Sequence, residues 1–133
     1  MKIVVDTNIL FSFFWESSLT RKLILTSSLE LYSPEYVIEE TLKYRTDIIE
    51  KTKIKNKDFD KYLNELKNTI NLIKRIDYSD FLVDAMVLSP DEKDADFFAL
   101  CLKYLCPVWS NDLELKRQNK INVLSTKEII MLL

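Results

Sequence analysis

The chain has 133 residues, 47% of them hydrophobic, and a formal net charge of −2, which suits one domain with a real core and leaves too little for two. It contains no histidine, which excludes Ser-His-Asp and Cys-His nucleophiles, a histidine general base and histidine-ligated zinc. It also contains no glycine, so neither the Walker phosphate loop nor the dinucleotide fingerprint can be written.

Chemistry near neutral pH therefore falls to carboxylates, a lysine, a hydroxyl or a bound metal. No apolar run approaches the length of a membrane span and no secretory leader opens the chain, so a soluble, cytoplasmic protein is expected. Cys101 and Cys106 lie in or beside one apolar helix and read as buried thiols rather than a disulfide or half a zinc site. The small negative charge does not decide the partner, because acids gathered around a metal would leave the rest of the surface near balance.

In chain order, Ile3-Val4-Val5 is a short β-branched run that reads as a strand covered on both faces, and Asp6 is the first polar residue after it. An acid at a strand's carboxyl end sits where open α/β sheets bind ligands, although Asp6 can equally serve the following helix as a cap. That helix is expected over Ile9 to Trp15, with Thr7 or Asn8 also able to cap it. Phe11 to Trp15 is strongly apolar, fit for the core or a subunit contact. Ser17 or Ser18 should cap a second helix through about Thr26, with Leu19, Leu23 and Ile24 on one face.

Leu29 to Tyr32 alternates as a short strand, and Ser33-Pro34-Glu35 then reads as a helix start, with Pro34 where its missing N–H costs nothing. The helix should run past Glu39 and Glu40 through Ile38, Leu42 and Ile49. Lys51, Lys53, Lys55 and Lys57 alternate through a polar stretch that suits a solvated turn or, more sharply, a phosphate-contacting stripe. Phe59, Leu63, Leu66, Ile70 and Ile73 recur at helical spacing, so a helix is expected to about Lys74, with Arg75-Ile76 as a third strand. Ser79 or Asp80 opens the next helix, through Met86.

Asp91, Glu92, Asp94 and Asp96 crowd ahead of the apolar helix beginning at Phe97. The macrodipole favours acids at a helix start, which accounts for one or two of them. Pro107-Val108-Trp109-Ser110 then reads as a buried strand that ends on Asn111-Asp112, the second apolar strand to run into an aspartate. Val123-Leu124 is a last strand, and Ser125 or Thr126 caps a closing helix from Lys127 to Leu133.

Strands alternate with helices throughout, so the expectation is a single domain over residues 1–133, a three-layer α/β/α fold around a central, mostly parallel sheet of four to five strands. Asp6, Glu40, Asp94 and Asp112 then fall on the carboxyl-end side. Carboxylates gathered within a few ångströms repel one another, and a hard divalent cation relieves that conflict. Magnesium or manganese accepts oxygen ligands, activates water and polarises a phosphoryl oxygen, so the implied reaction is hydrolysis of a phosphodiester.

Four segments carry a resemblance across nearly the whole length. Val4-Val5-Asp6-Thr7-Asn8-Ile9-Leu10, Ser33-Pro34-Glu35 through Glu40-Thr41-Leu42, Lys93-Asp94-Ala95-Asp96-Phe97-Phe98-Ala99-Leu100, and Trp109-Ser110-Asn111-Asp112-Leu113-Glu114-Leu115 resemble, in order, the motifs of the PIN domain nucleases, which include the VapC-type toxins. The resemblance implies that Asp6, Glu40, Asp94 and Asp112 hold the metal, with Asn8 and Ser110 in support. Glu39 stands as a substitute for Glu40, and Asp91 or Asp96 can share the role of Asp94. It further implies an RNA substrate, a small antitoxin partner and a homodimer, with Lys43, Arg45, Lys116 and Arg117 as phosphate contacts or simply solvated charges. An RNA-processing nuclease outside a toxin system and a non-catalytic module that kept the fold are the competing readings. A phosphatase of the haloacid dehalogenase type is disfavoured because Asn8 stands where its second aspartate belongs, and a receiver domain because the first strand is not followed by paired acids.

Overall fold

The computed structural model describes residues 1–133. β1 (Lys2–Val5) lies at the centre of a five-stranded sheet, and Ile3, Val4 and Val5 are fully buried, as a continuous apolar run with neighbours on both faces requires. The chain leaves it through α1 (Thr7–Ser12) and α2 (Leu19–Thr26) and returns as β2 (Glu30–Pro34), parallel to β1. Then α3 (Val37–Lys43), α4 (Arg45–Thr52) and α5 (Asn56–Thr69) lead to β3 (Asn71–Ile73) on the outer side of β2. From there α6 (Arg75–Tyr78), α7 (Leu82–Leu88) and α8 (Ala95–Tyr104) carry the chain back across the sheet. β4 (Val108–Trp109) pairs with the free side of β1, β5 (Val123–Leu124) pairs with β4, and α9 (Thr126–Leu132) closes the chain.

All four pairings are parallel and the strand order is β3-β2-β1-β4-β5. The winding therefore reverses between β1 and β4, and a crevice opens beyond their carboxyl ends. The core is one cluster that includes Phe13, Phe14, Phe59, Phe98 and Trp109, with α8 packed across β1, β2 and β4. Helices cover the sheet on both faces, in three layers. No helix is long and apolar enough to cross a membrane.

Several expected boundaries move, each for a physical reason. Ser33 and Pro34 belong to β2 rather than to a helix start: Pro34 pairs with Ile73, and the Glu35 N–H donates to the Ile73 carbonyl at 2.8 Å, so the ladder keeps the chain extended until α3 begins at Val37. The expected single helix to Ile49 is broken at Tyr44, whose backbone leaves the helical region. Helix α4 extends to Thr52 and α5 begins at Asn56, so Lys51 and Lys57 of the alternating run are helical and only Lys53 and Lys55 lie in the connection. Ile70 is extended rather than helical and Ile73 lies in β3, because the third strand is recruited by pairing with β2. Arg75-Ile76 is accordingly helical.

Phe13 and Phe14 are fully buried, which makes them core residues, while Trp15 remains 42% exposed. Leu19 is exposed, away from the buried Ile24. In a chain without glycine, α4 and α8 end on Lys53 and Leu105, both in the left-handed region that favours glycine, at φ 64° and 53°.

Candidate active site

The site forms where β1 and β4 end side by side. Val5 and Trp109 are register partners, so the next residues, Asp6 and Ser110, emerge together, and the Asp6 N–H donates to the Trp109 carbonyl at 3.2 Å. Asp6 is buried and caps α1, one carboxylate oxygen accepting the Ile9 N–H at 2.9 Å. Neither Thr7 nor Asn8 is the cap, because Asp6 already holds the extended backbone that the capping position needs. Capping does not exhaust Asp6. Burial raises its pKa, the Ser110 hydroxyl and the Ile9 N–H oppose that rise, and the charge of Asp112 adds to it.

Ser110 links two of the acids. Its buried hydroxyl faces Asp6 and also accepts the Asp112 N–H at 3.1 Å. Asp112 in turn caps a short 3-10 helix (Leu113–Arg117) by accepting the Glu114 N–H at 3.0 Å. The turn between them is fastened from behind: Asn111 accepts the Thr126 N–H at 2.9 Å, and the Trp109 indole N–H donates to the Thr126 hydroxyl at 3.0 Å. Below the acids the Ser33 hydroxyl donates to the Val5 carbonyl at 2.6 Å, a contact hidden from the sequence by the expected helix start at that residue.

Asp94 arrives from the other direction, at the end of a 3-10 turn (Glu92–Asp94) that leads into α8. Its pKa is pushed up to about 6, first by burial and then by the charges of Asp91, Asp6 and Asp112, with Lys93 opposing. Three hollows run along this rim. One is lined by Asp6, Asn8 and Asp112, the next by Asp91, Asp94, Asp112 and Glu114, and the third by Glu40, Tyr36, Lys93 and Asp94. Asp112 and Asp94 are each shared by two of them, so the acids of four chain segments line one continuous surface. No three acidic side chains converge closely enough to enclose a metal ion.

The alternatives separate by position. Glu40 faces the rim hollow, whereas Glu39 is exposed and lines none of the three. Asp91 lines the same hollow as Asp94, with its carboxylate accepting the Lys93 N–H at 3.0 Å. Asp96 accepts the Tyr78 hydroxyl at 2.5 Å and is tied to α6. Tyr36 was not singled out from the sequence; burial, followed by the charges of Asp96, Glu40 and Asp94, raises its phenol above the usual range. Glu114, part of the fourth motif but given no role from the sequence, lines the hollow of Asp94 and Asp112.

Among the basic residues, Arg45 pairs with Asp60 at 2.6 Å and lies over the Phe59 ring, Lys116 pairs with Glu128 at 2.7 Å, and Arg117 pairs with Glu114 at 3.1 Å. Lys43 is exposed, 5.6 Å from the centre of the Tyr44 ring, and makes no ion pair.

The PIN domain family model matches residues 4–129. The chain belongs to the PIN domain family. Among solved structures, this PIN domain is similar to VapBC2 from Rickettsia felis, crystallised bound to a DNA fragment from their promoter, with a TM-score of 0.62 at 15% identity over 94% of this chain and 98% of the other. That likeness is one of fold. The comparison with curated protein sequences finds no match. The matched range takes in all four acidic segments of the rim.

Proposed function

We propose that this PIN domain is a divalent-metal-dependent ribonuclease that hydrolyses RNA phosphodiester bonds, with the metal taken directly by one or two of the Asp6, Asp94 and Asp112 carboxylates and through its own water by the rest, and with Glu40 at the edge of the site. The observation that carries the reading is that acids from separate segments line one rim, where burial, and after it the charges of Asp91, Asp6 and Asp112, push Asp94 up to about 6. Folding brings these charges together against electrostatics, and a cation relieves the cost. The donors are hard oxygens, with no histidine in the chain. Their open arrangement suits magnesium or manganese, which bind through one or two carboxylates and keep most of their water. When bound, such an ion supplies Lewis acidity at the phosphoryl oxygen.

The chain's own residues do the positioning. Ser110 holds Asp6 and Asp112 side by side, the Ile9 N–H fixes the Asp6 carboxylate, and Asn8 presents an amide at the mouth of the same hollow. Of the four basic residues singled out from the sequence, Lys43 makes no ion pair and is free to meet a phosphate, as is Lys93 in the rim hollow; Arg45, Lys116 and Arg117 would first have to leave their carboxylates. We infer further that the chain is the toxin of a toxin–antitoxin pair, a reading supported by family membership and by the fold shared with VapBC2. A homodimer is supported by the apolar stripe on α7, where Val83, Met86 and Val87 are 73%, 52% and 82% exposed.

The test is cleavage of single-stranded RNA by the purified chain while manganese is titrated in. Cleavage should appear with metal, disappear with chelator and be lost in Asp112→Asn. Absence of both manganese binding and cleavage would leave the fold without this activity.

A further inference from the structure

A larger groove opens off the acidic rim, and its lining differs in kind from the rim itself. It has a volume of about 530 Å³ and runs between α1 and α4, sharing Asn8 and Ser12 with the hollow that contains Asp6 and Asp112. Its apolar wall is aromatic: Phe11, Trp15 and Tyr44, of which Trp15 and Tyr44 are 42% and 39% exposed. Phe11 packs edge-on against Tyr44, with centroids 6.1 Å apart, so the two rings brace each other. The polar wall carries Asn8, Asp47 and Lys51, and Lys43 stands beside Tyr44.

We infer that this groove is a nucleobase subsite, which holds one unpaired base of a single-stranded RNA next to the phosphate presented to the acids. The inference rests on the ribonuclease reading for the phosphate's position, and on the groove itself for the base. Half-exposed aromatic rings beside lysines make the combination that binds single-stranded nucleic acid, stacking for the bases and positive charge for the backbone. A paired base could not turn into the groove, so the subsite selects single-stranded segments. Asn8 and Asp47 offer a donor and acceptors to a base edge. Because Asn8 belongs to both spaces, a strand whose phosphate lies over Asp6 and Asp112 meets the groove at its neighbouring nucleotide.

Tryptophan fluorescence tests this directly, since Trp109 is fully buried and only Trp15 is open to stacking. The full chain is titrated, with manganese present, with an eight-nucleotide phosphorothioate RNA, which resists hydrolysis so that the strand stays whole, and with a series in which one base at a time is removed. Binding should quench the emission, and Trp15→Phe should abolish the quench. Loss of one particular base should weaken binding about tenfold in the wild type and little further in Tyr44→Ala. Quenching that survives in Trp15→Phe, equal weakening at every abasic position, or no RNA binding at all would overturn the subsite. So would an apolar helical peptide that quenches Trp15 where RNA does not. Manganese-dependent cleavage is measured alongside. Cleavage with no position-specific base effect refutes the subsite and leaves the nuclease standing, whereas a position-specific effect without cleavage refutes the nuclease and leaves the subsite.

Discussion

Asp94 at the rim and Glu128 in the first turn of α9 are carboxylates of one small domain in opposite surroundings. Asp94 is half-buried among Asp91, Asp6 and Asp112 and is pushed up to about 6. Glu128 accepts from Lys116 at 2.7 Å and closes a capping box with Ser125, and these partners hold it down at about 2. One region gathers like charges and the other pairs unlike ones. Local electrostatics favour the second arrangement and oppose the first, so the gathered charges of the rim work against the stability of the fold while those around Glu128 add to it. The same contrast divides the hydrogen bonds. Around α9 they only complete a helix start, whereas Asp6 and Asp112 cap helices and are also held side by side through Ser110.

The largest effect that sharpens this contrast is expected from Asp6→Asn. Asparagine is as good a helix cap as aspartate, so circular dichroism and thermal melting should show an intact fold, while metal-dependent RNA cleavage falls by more than about 100-fold, beyond the usual cost of disturbing an outer-shell partner. Unchanged cleavage would remove Asp6 from the site.

Next comes Asp94→Asn, which should raise the melting temperature of the metal-free protein at neutral pH. The Asp94 carboxyl has a higher pKa in the fold than the ordinary 3.8, so its stabilising contribution is complete below 3.8 and is lost as pH rises through about 6. The substitution should flatten the melting curves across that window, and manganese should stabilise the wild type more than the variant. Glu128 has the reverse sign: its contribution is present above 4.5 and fades as pH falls toward about 2. A wild-type protein with no loss of stability between pH 3.8 and about 6 would break the comparison.

A smaller change is expected at the paired end. Ser125→Ala removes the cap that accepts the Glu128 N–H at 3.2 Å and should cost about 1 kcal/mol in denaturant unfolding, with cleavage unaffected. Smallest of all is Leu105→Gly. Leu105 is 91% exposed and left-handed at the end of α8, so glycine removes a steric cost of about 1–2 kcal/mol and adds back about 0.5–1 in chain entropy. A net gain of about 0–1.5 kcal/mol follows, measurable as a shift in the urea midpoint.

The parts legible in the sequence are those where one local signal had no rival. Ile3-Val4-Val5, Val108-Trp109 and Val123-Leu124 are short apolar runs closed by a polar turn, and all are strands. Two helix starts were legible to within one residue: of Ser17 or Ser18 it is Ser18 that caps α2, and of Ser125 or Thr126 it is Ser125 that caps α9. Where two signals competed, long-range pairing decided. Ile70 and Ile73 continue the helical spacing of α5, yet hydrogen bonding to β2 draws Ile73 into β3 and leaves Ile70 extended. Pro34 reads as a helix start but ends a strand for the same reason.

The chain's composition and order determined that acids would follow its buried strands and that no histidine or glycine chemistry was open to it, because both depend only on which residues stand next to which. Tertiary structure decided which acids face one another. Glu39 and Glu40 differ by one position, and Asp94 and Asp96 by two, a rotation of about 100° or 200° on a helix that only docking can orient. The Tyr78 hydroxyl, from α6, takes Asp96, while the reversal of winding between β1 and β4 turns Asp6 toward Asp112 and leaves Asp94 within reach of both.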